Sequence, residues 1–533
     1  MRLDNVSLEV KDYIRDLEKK HEQKNKKIKQ LQDYQIKYQE YHFKYLEMKE
    51  RYDLLVYKRY MRSAEHLPVD KNQNLLFVEE LKEAEAIKTK EDPRETKVII
   101  TEVSAYTRKK PGRKAIDPSI PREEKIIDIP ENDKTCTCGE KRTKIGEESN
   151  EKLHIIPPRI YVEKTIRLKY ACRRCEGTEE HGPTIKIAPV EPSLIPKGVA
   201  SSSLLSHIMV HKYEDHLPYY RQEKQFERIG VHISRHDMAN WQQQVYKRLS
   251  PLFTLLEESI KSGPVIQMDE TTVQVMGEED RKDTQKSYMW LARGGPPKKK
   301  VILYHCRETR ASSHAHMLLE GYQGYLQTDG YSGYDAAVKE LDGIVHVGCF
   351  AHAPRKFFEA SKATKKSLSA EEGIKFIRKL YAIEDELRKQ PMDDEIFVME
   401  RKKRSEPILA ELKSWLLKRS IEVPPTMLLG KVIEYSLSQW SKMILYLESP
   451  YLTPDNNACE NAIRPFVIGR KNWLFNKSPE GAESSCGMFS LIENVKQNDI
   501  VPLRYLTYLF EKAPMAKALE DWEKLLPWII FTA

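Results

Sequence analysis

No run of about 18 apolar residues occurs in this chain of 533 residues, so the sequence offers no helix to span a bilayer. The opening residues, Met1-Arg-Leu-Asp-Asn-Val-Ser7, lack the apolar core of a signal peptide and run straight into charged helical sequence; a cytosolic location is expected. Common catalytic signatures are missing too. Gly430-Lys431 has no upstream glycine to make a phosphate loop, and neither a Gly-x-Ser-x-Gly elbow nor a His-Glu-x-x-His helix is present. Charge of one sign is not in large excess. Lys and Arg number 88 against 80 Asp and Glu, a net charge of +8 that favours a polyanionic partner without requiring one.

Residues 8–60 hold almost no Gly or Pro and are dense in Lys, Glu and Gln. Leu17, Leu31, Tyr38, Tyr45 and Tyr52 fall on one heptad position. Ile14, Ile28 and Val56 fall on the matching one, which His21, Gln35, His42 and Lys49 interrupt. This predicts a tyrosine-rich coiled coil and a homo-oligomer; a single amphipathic helix packed on its own protein is the other reading. Residues 61–120 read as a basic linker. Within it, Arg108-Lys-Lys-Pro-Gly-Arg-Lys114, with Arg113, matches short basic segments that lie in a minor groove, and equally a solvated linker.

Of eight cysteines, Cys306, Cys349, Cys459 and Cys486 are scattered, while Cys136, Cys138, Cys172 and Cys175 form two close pairs. The pairs bracket strand-like Arg159–Tyr170, and four thiolates from two turns suit a structural Zn²⁺ in a module over 121–195. Cys-x-Cys is tighter than the usual spacing, which leaves His154 or His181 as a replacement ligand. Residues 196–262 read as helices. Tyr219–Arg228 is stopped by Gly230, and Ser234-Arg-His-Asp237 opens the next helix with a capping box. This is helix-turn-helix-like, with Arg235, His236 and Asn240 placed for a major groove; packing alone is the competing role.

From 263 to 361 the texture turns to strands. Asp269 lies in the alternating run Val265–Val275. Ser287–Ala292, Lys300–His305, a strand ending at Asp329 and Gly343–Cys349 follow, with helices at Ser313–Glu320 and Ala353–Ala360. That order is the order of a ribonuclease-H-like core. Residues 362–450 carry helical stripes (Ile374, Ile377, Tyr381; Ile408, Leu412, Trp415; Ile433, Leu437, Trp440, Ile444) and form an all-helical insertion. The core resumes at 451–480 with a short helix bearing Glu460, which Asp455 is placed to cap, and 481–533 is helical. The fold class expected is multidomain α+β.

Asp269 interrupts an apolar strand, where a carboxylate without a partner is costly. Asp269, Asp329 and Glu460 together are hard oxygen ligands suited to Mg²⁺ or Mn²⁺, and such a set supports in-line attack on phosphodiesters. Arg464 lies one turn beyond Glu460, and Arg470, Lys471 and Trp473 form a basic, aromatic cluster suited to DNA phosphates and bases.

Several stretches carry a resemblance: Tyr170-Ala-Cys-Arg-Arg-Cys175, Asp215-His-Leu-Pro-Tyr-Tyr-Arg-Gln222, Gln267-Met-Asp-Glu-Thr271, Asp329-Gly-Tyr-Ser-Gly-Tyr334, Asn456-Asn-Ala-Cys-Glu-Asn-Ala-Ile-Arg-Pro-Phe466, Ile468-Gly-Arg-Lys-Asn-Trp-Leu-Phe475 and Ser490-Leu-Ile-Glu-Asn494. Over nearly its whole length the chain resembles the TnpC-type transposases of the insertion-sequence-66 family. The resemblance implies an Asp-Asp-Glu transposase acting on terminal inverted repeats and target DNA, as an oligomer and with small co-encoded proteins. It carries the catalytic triad onto Asp269, Asp329 and Glu460, and Cys349-Phe-Ala-His352 matches an element after the second acid. Thr135-Cys-Thr-Cys-Gly139 departs from the family's Cys-x-x-Cys-Gly by one residue at Cys136. A catalytically silent DNA-binding regulator and a stand-alone nuclease are the alternatives.

Overall fold

The computed structural model describes residues 8–60, 140–141, 159–171, 185–351, 357 and 368–530. The chain divides into two units, Met1–Asp70 with Glu191–Ala533, and Lys71–Val190. In the smaller unit, β1 (Lys169–Ala171) pairs antiparallel with β2 (Ile185–Ile187). The strand expected over Arg159–Tyr170 is corrected: residues 159–168 form no regular element, and only the last two enter a ladder. A strand persists only where a neighbour takes its N–H and C=O groups, and β2 is three residues long. Cys136, Cys138, Cys172, Cys175, His154, His181 and the segment with Arg113 lie outside the described residues.

The larger unit begins with α1 (Leu8–Tyr60), unbroken for 53 residues because nothing in it stops a helix. Its apolar positions face solvent: Leu17, Ile28, Leu31, Tyr38, Tyr45 and Tyr52 are all exposed. Glu50 differs. It is buried and accepts a hydrogen bond from the Leu428 N–H at 3.0 Å. Four helices follow, α2 (Ser202–Tyr213), α3 (Tyr219–Arg228), α4 (Arg235–Arg248) and α5 (Ser250–Lys261). The turn from α3 to α4 needs Gly230 at φ 80, and Ser234 with Asp237 forms the reciprocal capping box that starts α4.

A five-stranded mixed sheet is built from β3 (Val265–Gln274), β4 (Lys286–Gly294), β5 (Val301–Arg307), β6 (Gly324–Gln327) and β7 (Ile344–Val347), in the order β5-β4-β3-β6-β7. β3, β4 and β5 run antiparallel as a meander, whereas β6 and β7 lie parallel to β3. Each parallel connection needs a crossover, supplied by α6 (Ser312–Leu319) before β6 and by α7 (Ser332–Lys339) before β7. Asp329 does not end its strand. β6 stops at Gln327, leaving Asp329 two residues beyond, in the loop to α7. The expected helix over Ala353–Ala360 falls outside the described residues except for Phe357, which is helical and buried.

The inserted helices are α8 (Leu368–Arg388), α9 (Asp394–Glu422) and α10 (Leu428–Ser438), with Trp440 starting a separate turn after Gln439. Their stripes bury Ile374, Ile377, Leu412, Ile433 and Trp440. Among them sits the fully buried Arg401. It pairs with Glu384 at 2.8 Å and donates to the carbonyls of Tyr446, Ser449 and Leu452 at 2.6, 2.8 and 3.2 Å. The insertion thereby fixes the segment that leads into the last acid.

The chain continues with α11 (Asn457–Trp473), α12 (Pro479–Gln497) and α13 (Pro502–Lys512), followed by short helical turns at Leu519–Glu523 and Pro527–Ile530. α12 covers the outer edge of β5. Asn494 Oδ1 accepts from the Ile302 N–H at 2.9 Å and its Nδ2 donates to the Ile302 carbonyl at 2.6 Å, while Ser490 Oγ accepts from the Tyr304 N–H at 2.9 Å. A strand edge that would otherwise invite another chain is thus satisfied by side chains.

Candidate active site

The register of the sheet relates the first two acids. Gln267 of β3 lies opposite Gln327 of β6; two residues further on, Asp269 is still inside β3, paired with Leu291 of β4, while Asp329 lies just past the end of β6. Side chains alternate across a strand, which puts Gln267, Asp269 and Thr271 on one face and Ile266, Met268 and Glu270 on the other.

α11 packs on the face that carries Asp269. Cys459, Ile463 and Phe466 are buried, while Asn457, Glu460, Asn461 and Arg464 are half-buried on the opposite side. The helix does not start as expected from Asp455. Its N-cap is Asn456, which makes no side-chain capping bond. Asp455, one residue further out, accepts instead from the Asn457 backbone N–H at 3.0 Å and from Asn457 Nδ2 at 2.9 Å. Asn456 is occupied elsewhere: its Nδ2 donates to the Met268 carbonyl at 2.9 Å and its backbone N–H to Cys349 Sγ at 3.2 Å. Cys349 also accepts from the Ala351 N–H at 3.3 Å, and burial holds the thiol well above its usual range. It acts here as a buried acceptor that joins the turn after β7 to the start of α11. His352 lies outside the described residues.

The acids sense one another. Burial pushes the Asp269 carboxyl up to about 7, and the charges of Glu270, Glu460 and Asp329 add to the rise, against a hydrogen bond from the Glu270 N–H. Among the described residues, no three His, Cys, Asp or Glu side chains stand ready to ligate a single ion. The chemistry of the donors nevertheless suits a divalent cation, because the poorly solvated Asp269 carboxylate, beside the charges of Glu270, Glu460 and Asp329, is relieved by positive charge.

Glu270 belongs to the neighbourhood too. Its side chain is 1% exposed, forms a close ion pair with Arg310, and accepts a short hydrogen bond from the Tyr334 hydroxyl. Arg310 reaches Asp329 Oδ2 at 3.9 Å and stacks over the Tyr331 ring at 3.7 Å. Asp329 Oδ1 accepts from the Tyr331 N–H at 3.0 Å, which shapes the loop after β6. The sequence reading missed Arg310 and the two glutamines. Nothing local marks Arg310, but the glutamines leave a trace: Gln267-Met-Asp269 and Gln327-Thr-Asp329 share one spacing.

The candidate DNA contacts are distributed. Arg464 is half-buried beside Glu460, and Lys471 is exposed. Arg470 turns inward, donating to Thr271 Oγ1 at 3.0 Å and to the Thr272 carbonyl on β3. Trp473 is half-buried against Phe489 and Tyr213, with ring centroids at 6.2 and 6.4 Å. Arg235 is exposed at the start of α4 and lies 5.9 Å over the Tyr220 ring, and Asn240 Nδ2 lies 3.1 Å from His236 Nε2 one turn away. These α4 residues are not gathered with the three acids by any contact described above.

Comparison with known proteins gives consistent matches along the chain. The model described as transposase IS66 family matches residues 197–484, and the zinc-finger binding domain of transposase IS66 matches residues 133–176. The IS66 C-terminal element matches residues 490–528, and a model described as transposase C of IS166 homeodomain matches residues 47–124. The uncharacterized protein y4hP of Sinorhizobium fredii is 30% identical over 80% of this chain and 78% of its own length. The uncharacterized protein y4qI of the same organism is 31% identical over 78% of this chain and 77% of its own length.

Proposed function

We propose that this chain, which belongs to the IS66 transposase family, cleaves DNA at the terminal inverted repeats of its element and joins the freed 3′-hydroxyl ends to target DNA. The observation that carries the proposal is that Asp269 on β3 and Asp329, two residues past the neighbouring parallel strand β6, follow the paired Gln267 and Gln327 by the same spacing, with the Glu460 helix packed on the same strand as Asp269. The meander of β3–β5 followed by parallel β6 and β7 supports a ribonuclease-H-like core.

Asp269, Asp329 and Glu460 would hold Mg²⁺ or Mn²⁺. When bound, the cations supply Lewis-acid activation of the attacking water or 3′-hydroxyl and neutralise the leaving oxygen. The protein's own part is positioning and charge. Asp269, protonated up to about pH 7 when metal-free, must lose that proton to act as a ligand. Glu270 and Arg310 brace the strand ends beneath the acids. Arg464 and exposed Lys471 meet the phosphate backbone next to Glu460, and Arg235, Asn240 and Arg113 make further contacts with DNA. Arg470 and Trp473 support that surface from within. The thiolates of Cys136, Cys138, Cys172 and Cys175, inside the zinc-finger match, form a donor set suited to structural zinc. The exposed heptad stripe of α1 pairs with a second copy of the chain.

The test is cleavage of DNA carrying the element's ends. Asp269→Asn and Glu460→Gln are expected to reduce Mg²⁺-dependent nicking by at least about a thousandfold while DNA affinity in a gel-shift assay stays within about twofold. Wild-type-like nicking by either variant would place the chemistry elsewhere. Specific binding by the wild type without nicking under any divalent ion would make the chain a regulator.

A further inference from the structure

We propose that Gln267 and Gln327 are positioning residues that set the spacing of all three acids through one buried chain of hydrogen bonds. Arg293 Nη1 donates to Gln267 Oε1 at 2.9 Å, Gln267 Nε2 to Gln327 Oε1 at 2.8 Å, and Gln327 Nε2 to the Thr453 carbonyl at 2.6 Å. Thr453 Oγ1 then donates to the Asp455 carbonyl at 2.6 Å, at the entry to α11. Each link joins a different part of the site. The Gln267–Gln327 bond crosses from the strand of Asp269 to the strand preceding Asp329. The Gln327–Thr453 bond crosses from there to the segment that delivers Glu460.

Three features make this more than ordinary packing. Both glutamines stand two residues before an acid: Gln267 shares its side of β3 with Asp269, and Gln327 is the last residue of β6 before the loop that carries Asp329. They are buried, at 5% and 0% exposure, where an amide must be paired and tolerates few geometries. And Arg401 and Arg388 already hold the Leu452 carbonyl on the insertion side, so Thr453 is the joint where insertion and sheet meet. Backbone amides of the two strands fix strand-to-strand distance. The Gln327 link ties α11's approach to β6 by a side chain, and works beside Asn456 Nδ2, which donates to the Met268 carbonyl of β3 at 2.9 Å. A carboxylate set spread by even about 1 Å would lose affinity for a cation that demands fixed ligand distances.

The inference rests on the reading of Asp269, Asp329 and Glu460 as a metal-holding set, and the test keeps the two apart. Mn²⁺ is titrated calorimetrically into full-length protein at pH 8 without DNA, with Asp269→Asn as the blank that defines the acid site. Gln327→Met preserves length and removes the side-chain hydrogen bonds to Gln267 and Thr453. It is expected to weaken Mn²⁺ binding by about tenfold, in the range seen when groups supporting metal ligands are removed. It should also raise the Mn²⁺ concentration for half-maximal cleavage more than it lowers the rate at saturation. Tyr505→Phe serves as the matched control. It removes a buried hydrogen bond to the Leu525 carbonyl in the C-terminal helices and should lower thermal stability while leaving Mn²⁺ affinity unchanged.

Gln267→Met breaks the link to Gln327 and the bond from Arg293 but leaves the Gln327–Thr453 link in place, and should act in the same direction with a smaller effect. Unchanged Mn²⁺ affinity in Gln327→Met overturns the inference, as does an equal loss in Tyr505→Phe. Failure of both glutamine variants to fold would assign the pair to stability instead. If Asp269→Asn binds Mn²⁺ like wild type, the metal-holding reading itself falls, whatever the glutamines do.

Discussion

Asp269 carries a cost that the metal-free protein cannot avoid. Its carboxyl is raised from 3.8 to about 7 by burial and by the charges of Glu270, Glu460 and Asp329. A raised acid favours the folded state while it is protonated. That contribution is complete below the unfolded value near 4, shrinks as pH rises, and is gone above about 7. In EDTA, wild-type protein should therefore be less stable at pH 8 than at pH 5 through this group. Asp269→Asn should be more stable than wild type by up to about 4 kcal/mol at pH 8, with the difference vanishing toward pH 4. Chemical denaturation at the two pH values measures it; a variant less stable than wild type at pH 8 would mean that Asp269 is well paired rather than crowded. Divalent cation should reverse the order, since the wild type alone gains a ligand.

α12 shows how an element can be legible while its purpose is not. Its helical pattern and the Ser490–Asn494 stretch are plain in the sequence, but the edge of β5 that Ser490 and Asn494 cover is nearly two hundred residues earlier. No periodicity encodes such a partnership. Asn494→Ala would strand the Ile302 N–H and carbonyl in a buried edge and is expected to cost about 1–3 kcal/mol, read as a lower urea midpoint. A midpoint equal to wild type would mean that the edge finds other partners. The strand carrying Asp269 is legible for the opposite reason: its alternation is local, and β3 occupies Val265–Gln274. Where the reading slipped, as at Asp329 and along Arg159–Tyr170, the missing information was the partner strand that decides where pairing stops.

At the level of the molecule, the five strands, the helix before β6 and the interruption by helices are visible in the pattern of the sequence, whereas α7, between Asp329 and β7, is not among the helices it predicts. The buried hub at Arg401 is not visible either, because a single arginine in a charged helix looks like surface until Tyr446, Ser449 and Leu452 are brought to it. α1 is the other whole-molecule feature: a long helix whose aromatic stripe faces solvent and whose buried Glu50 caps α10 at Leu428. Deleting residues 1–60 is expected to lower the mass measured by multi-angle light scattering to that of one chain, and an unchanged mass would remove the pairing through α1.

The clasp of Arg401 on the segment before Thr453 also gives synthesis a direction. A ribosome delivers Asp269 and Asp329 first, then the helices bearing Glu384 and Arg401, and only afterwards the carbonyls they grip and Glu460. A polypeptide interrupted anywhere before residue 460 lacks its third acid, however well its earlier helices fold. If the three acids cut DNA as proposed, an incomplete nascent chain would hold its strands and early helices without the means to cut.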